Sequence, residues 1–436
     1  MTSIAKELYE KSIDHVRRGQ VRQALTALLD SLAIDPTYAD SLESASRICH
    51  TLGSPEDAQL FEAVVRRPED TEALFNLAYH LISQERPDVG VALLERCLQA
   101  GMEGPAVRQE LAFARFQMGD FKDCREILEP LLTDPELADT EQLDVLFIVA
   151  EAAMYDGDRD ACLKALEAAE KHIPTDEQRA QLDGLHHLIG RSMHWSQLDD
   201  LDLRQWHFIQ HAGVILKVAG GLVEDGSRQG RYDVLHLKVD MVAFLIQRLL
   251  HLLQTLDVPI GAIASASKTA EPLARAIAMA GSLSYVEALD DHAGAPILLV
   301  AGNAAELGPV APRLSAHNDD LRLFCVHLDW TRDEVVCPEI VGVLSPRAML
   351  PWETRFSLEA ETGSSQQIPA DERPAEVIAS EVVAAMAELP DDEGQARQAF
   401  EGIYLPLAQE ILLGNHARHP YRRRFTAVSP CHATEE

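Results

Sequence analysis

The chain has 436 residues, of which 47% are apolar and 25% are charged. This length and balance indicate a folded protein with two or three domains and argue against a largely disordered chain. The 38 Lys and Arg residues against 70 Asp and Glu residues give a formal net charge of −32. Because such a surface repels phosphate groups, we expect neither nucleic acid nor a membrane surface as a partner.

Cysteine usage and the N-terminal segment indicate the cellular compartment of the protein. No two cysteines form a Cys-x-x-Cys pair, which favours reduced thiols that pack as small apolar groups. The segment MTSIAKELYEKS is amphipathic and has no apolar signal core, and no run approaches ~18 apolar residues. We therefore expect a cytoplasmic protein. The seven cysteines are Cys49, Cys97, Cys124, Cys162, Cys325, Cys337 and Cys431.

The first half of the chain shows a repeat of about 34 residues, with units that begin at residues 5, 39, 71, 105 and 143. In most units a glycine follows the first helix and a small residue lies early in the second, which is the pattern of paired antiparallel helices. One such pair cannot bury its apolar face alone, so the pattern predicts a stacked solenoid over residues 1–195. The turn glycines are Gly19, Gly53, Gly119 and Gly157, and the small residues are Ala24, Ala58, Gly90, Cys124 and Cys162.

These offsets resemble the tetratricopeptide repeat, which has a small residue at position 8, Gly at 15, a small residue at 20 and Pro at 32. The fifth unit shows them most fully, as Ala150, Gly157, Cys162 and Pro174. The second unit is two residues short, and Glu85 replaces the turn glycine of the third. Residues 177–195 are predicted to form the final capping helix that closes a solenoid.

The resemblance implies a binding role, because tetratricopeptide arrays commonly bind partners on the concave face lined by their first helices. Aromatic side chains beside an amide and an acid suit an apolar helix or peptide that also carries polar or basic groups. The alternative is that several of these rings belong to the core between repeats. The residues expected on this face are Phe75, Tyr79, Gln109, Phe113, Phe116, Phe147, Glu151 and Tyr155.

Residues 200–356 have the pattern of an α/β domain. Apolar segments without alternation are interleaved with helical patterns, which predicts a mostly parallel sheet covered on both faces. The expected strands are 207–218, 259–264, 283–288, 297–301, 323–328 and 340–344, with a buried helix over 239–256 and another over 271–280. Ligands bind such sheets at the carboxyl ends of the strands.

The segment IGAIASASKTAEPLARAIAMAGSLSYVEA resembles the part of type I phosphoribosyltransferases that carries the pyrophosphate loop. That family then has two acids and a Thr-Gly-rich loop, where this chain has Ala301 and Gly302. The resemblance implies a fold that has lost its phosphate chemistry. Ser265, Ser267, Lys268 and Thr269 form a candidate anion-binding loop before a helix, and an ordinary capped turn is the alternative.

We predict no catalytic residues, no metal site and no cofactor. Nucleotide-binding glycine motifs, a hydrolase nucleophile elbow and a zinc-protease motif do not occur in the sequence. His207 and His211 would share a strand face about 13 Å apart, too far for one ion. His186 and His187 are adjacent on a helix and point to different sides.

The remaining segments are a polar stretch at 357–373, expected to be a loop or linker, and helices within 374–436 that pack on the α/β domain. The chain ends near the basic cluster HARHPYRRRF, which either docks on the acidic body or contacts phosphate or an acidic partner.

Together these patterns predict an α solenoid followed by an α/β domain, in a scaffold protein that binds a protein or peptide partner and whose α/β domain is non-catalytic. The alternative is an enzyme that acts on a phosphoribosyl or nucleotide substrate through the α/β domain. The sequence does not predict the oligomeric state.

Overall fold

The structure is a computed structural model that describes residues 2–134, 137, 139–172, 175–196, 198, 201–219, 231–232, 234–287, 289, 296–314, 321–358, 365–389 and 395–407. The chain divides into two compact units, Met1–Ile189 and Gly190–Glu436. None of the described helices combines the length and apolarity that crossing a membrane requires.

The first unit is built from helix pairs, as the repeat predicts. The helices are α1 Thr2–Arg17, α2 Val21–Ile34, α3 Ala39–Leu52, α4 Pro55–Arg66, α5 Thr71–Ser83, α6 Pro87–Gln99, α7 Pro105–Met118, α8 Phe121–Leu128, α9 Asp139–Tyr155, α10 Arg159–Ala169 and α11 Asp176–Ser192. Consecutive helices pack together in the pairs α1 with α2, α3 with α4, α5 with α6, α7 with α8 and α9 with α10, and α11 follows.

Small residues allow the two helices of each pair to approach closely. Gly90 on α6 shows this best, because a Cβ atom there would lie 2.4 Å from Cγ1 of Ile82 on α5. The turn glycines have φ between +72° and +85°, and Glu85 takes φ +64° at the equivalent turn of the third unit. The third unit thus has the same turn geometry as the others, although Glu85 stands in place of the glycine. The predicted small residues Ala24, Ala58, Cys124 and Cys162 are fully buried.

The second unit contains a six-stranded sheet. Its strands are β1 Val214–Ile215, β3 Ala262–Ser265, β4 Ser284–Val286, β5 Ile297–Asn303, β6 Leu321–Leu328 and β7 Ile340–Leu344. The strand order is β1-β7-β6-β5-β3-β4, and all five strand pairs are parallel. Two smaller pairs are β2 Val234–His236 with β8 Arg347–Met349, which is parallel, and β9 Arg355–Leu358 with β10 Ser365–Ile368, which is antiparallel.

Apolar groups cover both faces of this sheet, which explains the unalternating strands. One face carries Leu298, Val300 and Phe324 and packs against helices, while the other carries Leu299 and Leu323 in a second cluster. The parallel α/β prediction is therefore confirmed. The helices of this unit are α12 Leu203–His211, α13 Val239–Thr255, α14 Glu271–Gly281, α15 Ala311–Leu314, α16 Ala375–Met386 and α17 Gln395–Tyr404.

The predicted strand at 207–218 is wrong over most of its length. Asp202 accepts hydrogen bonds from the backbone N–H groups of Arg204 and Gln205, and the Gln205 side chain accepts from the Asp202 N–H. This capping box starts helix α12, and local capping overrides the apolar run that suggested a strand. His207 and His211 consequently lie one helical turn apart, with ring centroids 5.1 Å apart.

The prediction of a loop or linker at 357–373 is also partly corrected. The strands β9 and β10 form a short antiparallel pair within and beside this stretch. Of the helices predicted within 374–436 the structure describes α16 and α17, and the basic cluster near the C-terminus lies outside the described residues. Six cysteines are buried free thiols, and burial raises the pKa of Cys49 and Cys97 to about 11. Cys431 lies outside the described residues.

We expect acidification from about pH 7.5 to about pH 5 to destabilise the second unit through His207. Burial, aided by Arg231, lowers the pKa of this ring from 6.5 to about 3, and Nε2 has no hydrogen-bond partner among the described residues. The neutral ring contributes stability that is complete above the unfolded pKa near 6.5 and is lost as the pH falls towards the folded pKa of about 3. At about pH 5 the expected loss is ~2 kcal/mol.

Urea unfolding followed by tryptophan fluorescence measures this loss, because all four tryptophans (Trp195, Trp206, Trp330 and Trp352) lie in the second unit. The control is His207→Gln, which cannot titrate and retains the pH dependence of every other group. An identical pH dependence in the two proteins would contradict the prediction.

Candidate functional site

The first candidate site is the exposed part of α5 and α7, which contact each other as successive first helices. Tyr79 and Phe113 are 57% and 40% exposed, which is unusual for aromatic rings in a folded protein. Phe75 lies one turn before Tyr79 and is half-buried against the core. Gln109 occupies the position equivalent to Phe75, 34 residues later, one turn before Phe113. Repeat-equivalent positions put these four residues on corresponding sides of the two helices.

Polar groups beside these rings are desolvated. Burial raises the pKa of the Glu110 carboxyl, whose neighbour Gln109 has a buried Nε2 without a hydrogen-bond acceptor among the described residues. An unsatisfied amide donor beside a half-buried acid is costly unless a ligand completes the site. Sequence reasoning missed Glu110, although its place three residues before Phe113, and so on the same side of the helix, was the available signal. We call Phe75, Tyr79, Gln109, Glu110 and Phe113 the aromatic surface.

The other predicted face residues are not available to a partner. Phe116, Phe147, Glu151 and Tyr155 are at most 9% exposed. The Phe121 ring stacks on Tyr155 with centroids 4.9 Å apart, and Phe116 meets both rings edge-on. For these four residues the expectation of a binding role is corrected, because the last helix pairs use their aromatic rings to fill the core.

The candidate anion loop Ser265–Thr269 lies where predicted, between β3 and α14, and its hydroxyl groups are already bonded. The Ser265 Oγ is 3.1 Å from the Tyr285 hydroxyl. Ser267 donates to Glu306 Oε2 at 2.6 Å and accepts from the Ala270 N–H at 3.1 Å. Ser267 therefore caps the turn, and the Ser265 hydroxyl is bonded to the side chain of a β4 residue. Lys268 is exposed, and Thr269 is partly buried.

Glu306 lies where the resemblance to type I phosphoribosyltransferases implies a bound phosphate group. Its carboxylate accepts from Ser267, from the Gly302 N–H at 3.1 Å and from Asn303 Nδ2 at 3.0 Å. The donors that would hold an external anion at the ends of β3 and β5 thus hold an internal one. The anion-binding role of Ser265 and Ser267 is corrected, and the phosphoribosyltransferase-like chemistry is not confirmed. Glu306 lies in the 3₁₀ helix Ala304–Val310 directly after β5 and has no sequence signature that would identify this role.

Acidic and histidine side chains also gather at the ends of β6 and β7. The His327 ring lies 3.3 Å from the Ser345 carbonyl, and burial lowers the pKa of this ring. Asp329 and Glu334 are both bound by Arg332 Nε at 3.0 Å. Within the described ranges no group of three His, Cys, Asp or Glu residues is arranged to hold a metal ion.

Comparisons with known proteins bear on the first half of the chain. No protein-family model and no curated protein matches the sequence. Solved structures of tetratricopeptide-repeat proteins do match its N-terminal part.

Three solved structures illustrate the match. TTC0263, a TPR protein of Thermus thermophilus, is 14% identical, with 42% of this chain and 98% of that chain covered and a TM-score of 0.26. PilF of Pseudomonas aeruginosa is 17% identical, with coverages of 44% and 85% and a TM-score of 0.27. PilW, a type IV pilus biogenesis factor, is 14% identical, with coverages of 47% and 90% and a TM-score of 0.28.

Proposed function

We propose that this protein is an interaction scaffold that binds a helix or extended peptide of another protein on the aromatic surface of α5 and α7. The observation that carries the proposal is the pair of exposed rings at equivalent positions of successive repeats, Tyr79 and Phe113. Exposed aromatic anchors supply much of the binding energy at protein interfaces, since their burial removes a large apolar area from water.

The surroundings of the rings define the partner's chemistry. Gln109 offers a buried amide donor without an acceptor among the described residues, and Glu110 is a partly buried acid. A partner with one or two large apolar side chains, a backbone or side-chain acceptor and a neighbouring Lys or Arg would satisfy all of these groups. A basic group of the partner would also attract the Glu110 carboxylate and so offset the desolvation energy that its burial costs.

We expect Tyr79→Ala and Phe113→Ala each to weaken partner binding about tenfold, which is the loss of one moderate aromatic anchor. A photo-crosslinking amino acid at position 79 would first capture and identify the partner. Titration of the purified partner by fluorescence anisotropy would then give the dissociation constants of wild type and variants.

The matched control is Leu163→Ala on α10, because Leu163 is also an exposed apolar residue, 37% exposed, but lies on a second helix. Its dissociation constant should equal that of the wild type. If Leu163→Ala weakened binding as much as Tyr79→Ala, or if the Tyr79 and Phe113 double variant bound normally while fully folded, the aromatic surface would not be the binding site.

A further inference from the structure

The second unit contains a groove that the proposed function does not use. It consists of two adjoining cavities of about 760 Å³ and about 310 Å³ that share Trp352, Asp371, Arg373 and Ile378. Residues at the start of α13, α14 and α16 and on β8 and β9 line it. Ser265 and Ser267 are not among its lining residues, so the groove is separate from the Glu306 carboxylate site. Volumes of this size are typical of sites for small molecules.

Four cationic side chains line this groove without an ion pair or side-chain hydrogen bond among the described residues: Lys238, Lys268, Arg347 and Arg355. The Nε atom of Arg355 is buried and has no acceptor within the described part of the chain. Unpaired cations are unexpected in a chain with a net charge of −32, where carboxylates are plentiful. A buried guanidinium donor without a partner is unfavourable unless an anion binds it.

The acids that line the groove are mostly engaged elsewhere. Asp371 and Glu381 both bind Arg373, at 2.6 Å and 2.8 Å. Glu271 binds Arg275, which points to other carboxylates outside the groove. These ion pairs leave the four cations available to an external ligand.

Glu353 accepts the Leu350 N–H, and burial raises the pKa of its carboxyl, which lowers its tendency to act as a counter-ion. Glu372 is exposed at the edge of the groove. The first residues of α14 and α16, including Pro272 and Ala375, also line the larger cavity. The positive ends of these two helix dipoles add positive potential there.

We propose that this groove binds a small organic anion with two or more negatively charged groups, phosphate or carboxylate. Arg347 and Lys268 would bind one charged group in the larger cavity, and Arg355 and Lys238 would bind another in the smaller one. Trp352, Met349 and Ile378 provide apolar contacts between and beside these groups. The size of the two cavities suits a small molecule. This inference concerns the second unit and is independent of the aromatic surface.

Isothermal titration calorimetry of the full chain with tripolyphosphate and with citrate tests the proposal. Tripolyphosphate carries its negative charges on phosphate oxygens and citrate carries them on carboxylate oxygens, so the two probes test both kinds of anionic group. We expect saturable binding of at least one probe, weakened about tenfold by Arg347→Gln and by Arg355→Gln, since each removes a charge-assisted hydrogen bond.

The control is the double variant Lys11→Gln and Arg18→Gln, which removes two exposed positive charges from the first unit and should leave the affinity unchanged. Circular dichroism and tryptophan fluorescence verify that each variant is folded, and the exposed Arg347 provides a variant that does not disturb the core. Absence of saturable binding by both probes, or an equal loss of affinity in the control, would overturn the proposal.

Discussion

Gly342→Val is expected to destabilise the second unit by about 4 kcal/mol, at the upper end of the cost of overpacking. Gly342 lies in β7, between β1 and β6, and a Cβ atom there would lie 2.4 Å from the carbonyl oxygen of Val326 on β6. A backbone carbonyl in the middle of a sheet cannot move aside without breaking strand hydrogen bonds. Leu245 of α13 blocks the alternative movement, with its Cδ1 at 3.1 Å.

Urea unfolding followed by tryptophan fluorescence measures this effect. The matched control is Gly308→Val, because no heavy atom lies within 4 Å of a Cβ built at Gly308. The free energy of unfolding of the control should stay within about 1 kcal/mol of wild type. Equal stability of the Gly342 variant and the control would show that β6 and β7 do not have the close spacing described here.

Glu306→Ala is expected to lower the free energy of unfolding by about 3 kcal/mol. The change leaves the Ser267 hydroxyl, the Gly302 N–H and the Asn303 amide without their common acceptor. Loss of one partner from a charge-assisted network costs more than the bonds contribute in net terms, because the partly buried donors are left without an acceptor. The same unfolding measurement applies.

The matched control for this site is Glu306→Gln, whose amide oxygen can still accept from Ser267 and Gly302. We expect it to lose only about 1 kcal/mol, the usual net contribution of one hydrogen bond. Added formate should stabilise Glu306→Ala and leave wild type unchanged, since it restores a carboxylate to the vacated donors. If Ala and Gln were equally tolerated and formate had no effect, Glu306 would not organise these strand ends.

Local signals predicted the helix pairs well because each repeat is specified by nearby residues. The small residue Ala24 and its equivalents must face the partner helix, and the glycine turns need positive φ, so periodic spacing carries the information. The sequence also predicts the apolar strands β5, β6 and β7, because a parallel strand is buried on both faces along its whole length and is therefore apolar throughout.

Local signals failed where two patterns competed. Residues 207–218 are apolar enough for a strand, yet the capping box at Asp202 starts a helix that reaches His211. The choice between these outcomes depends on whether the segment has a strand partner, and β7 bonds only to the end of this segment, from Val214 to Lys217. The number of available sheet neighbours is a property of the assembled unit.

The sequence by itself determined the helix-pair half and the parallel sheet, because periodicity and continuous burial are written in the order of the residues. Only the tertiary structure decided which aromatic rings face water. Tyr79 and Phe113 remain exposed, whereas Phe116 and Tyr155 occupy equally plausible positions and are covered by Phe121 and by each other. It also decided that Glu306 fills the predicted anion site, since that contact joins residues 39 positions apart. Burial and counter-ion choice depend on neighbours from distant parts of the chain, and no local pattern encodes them.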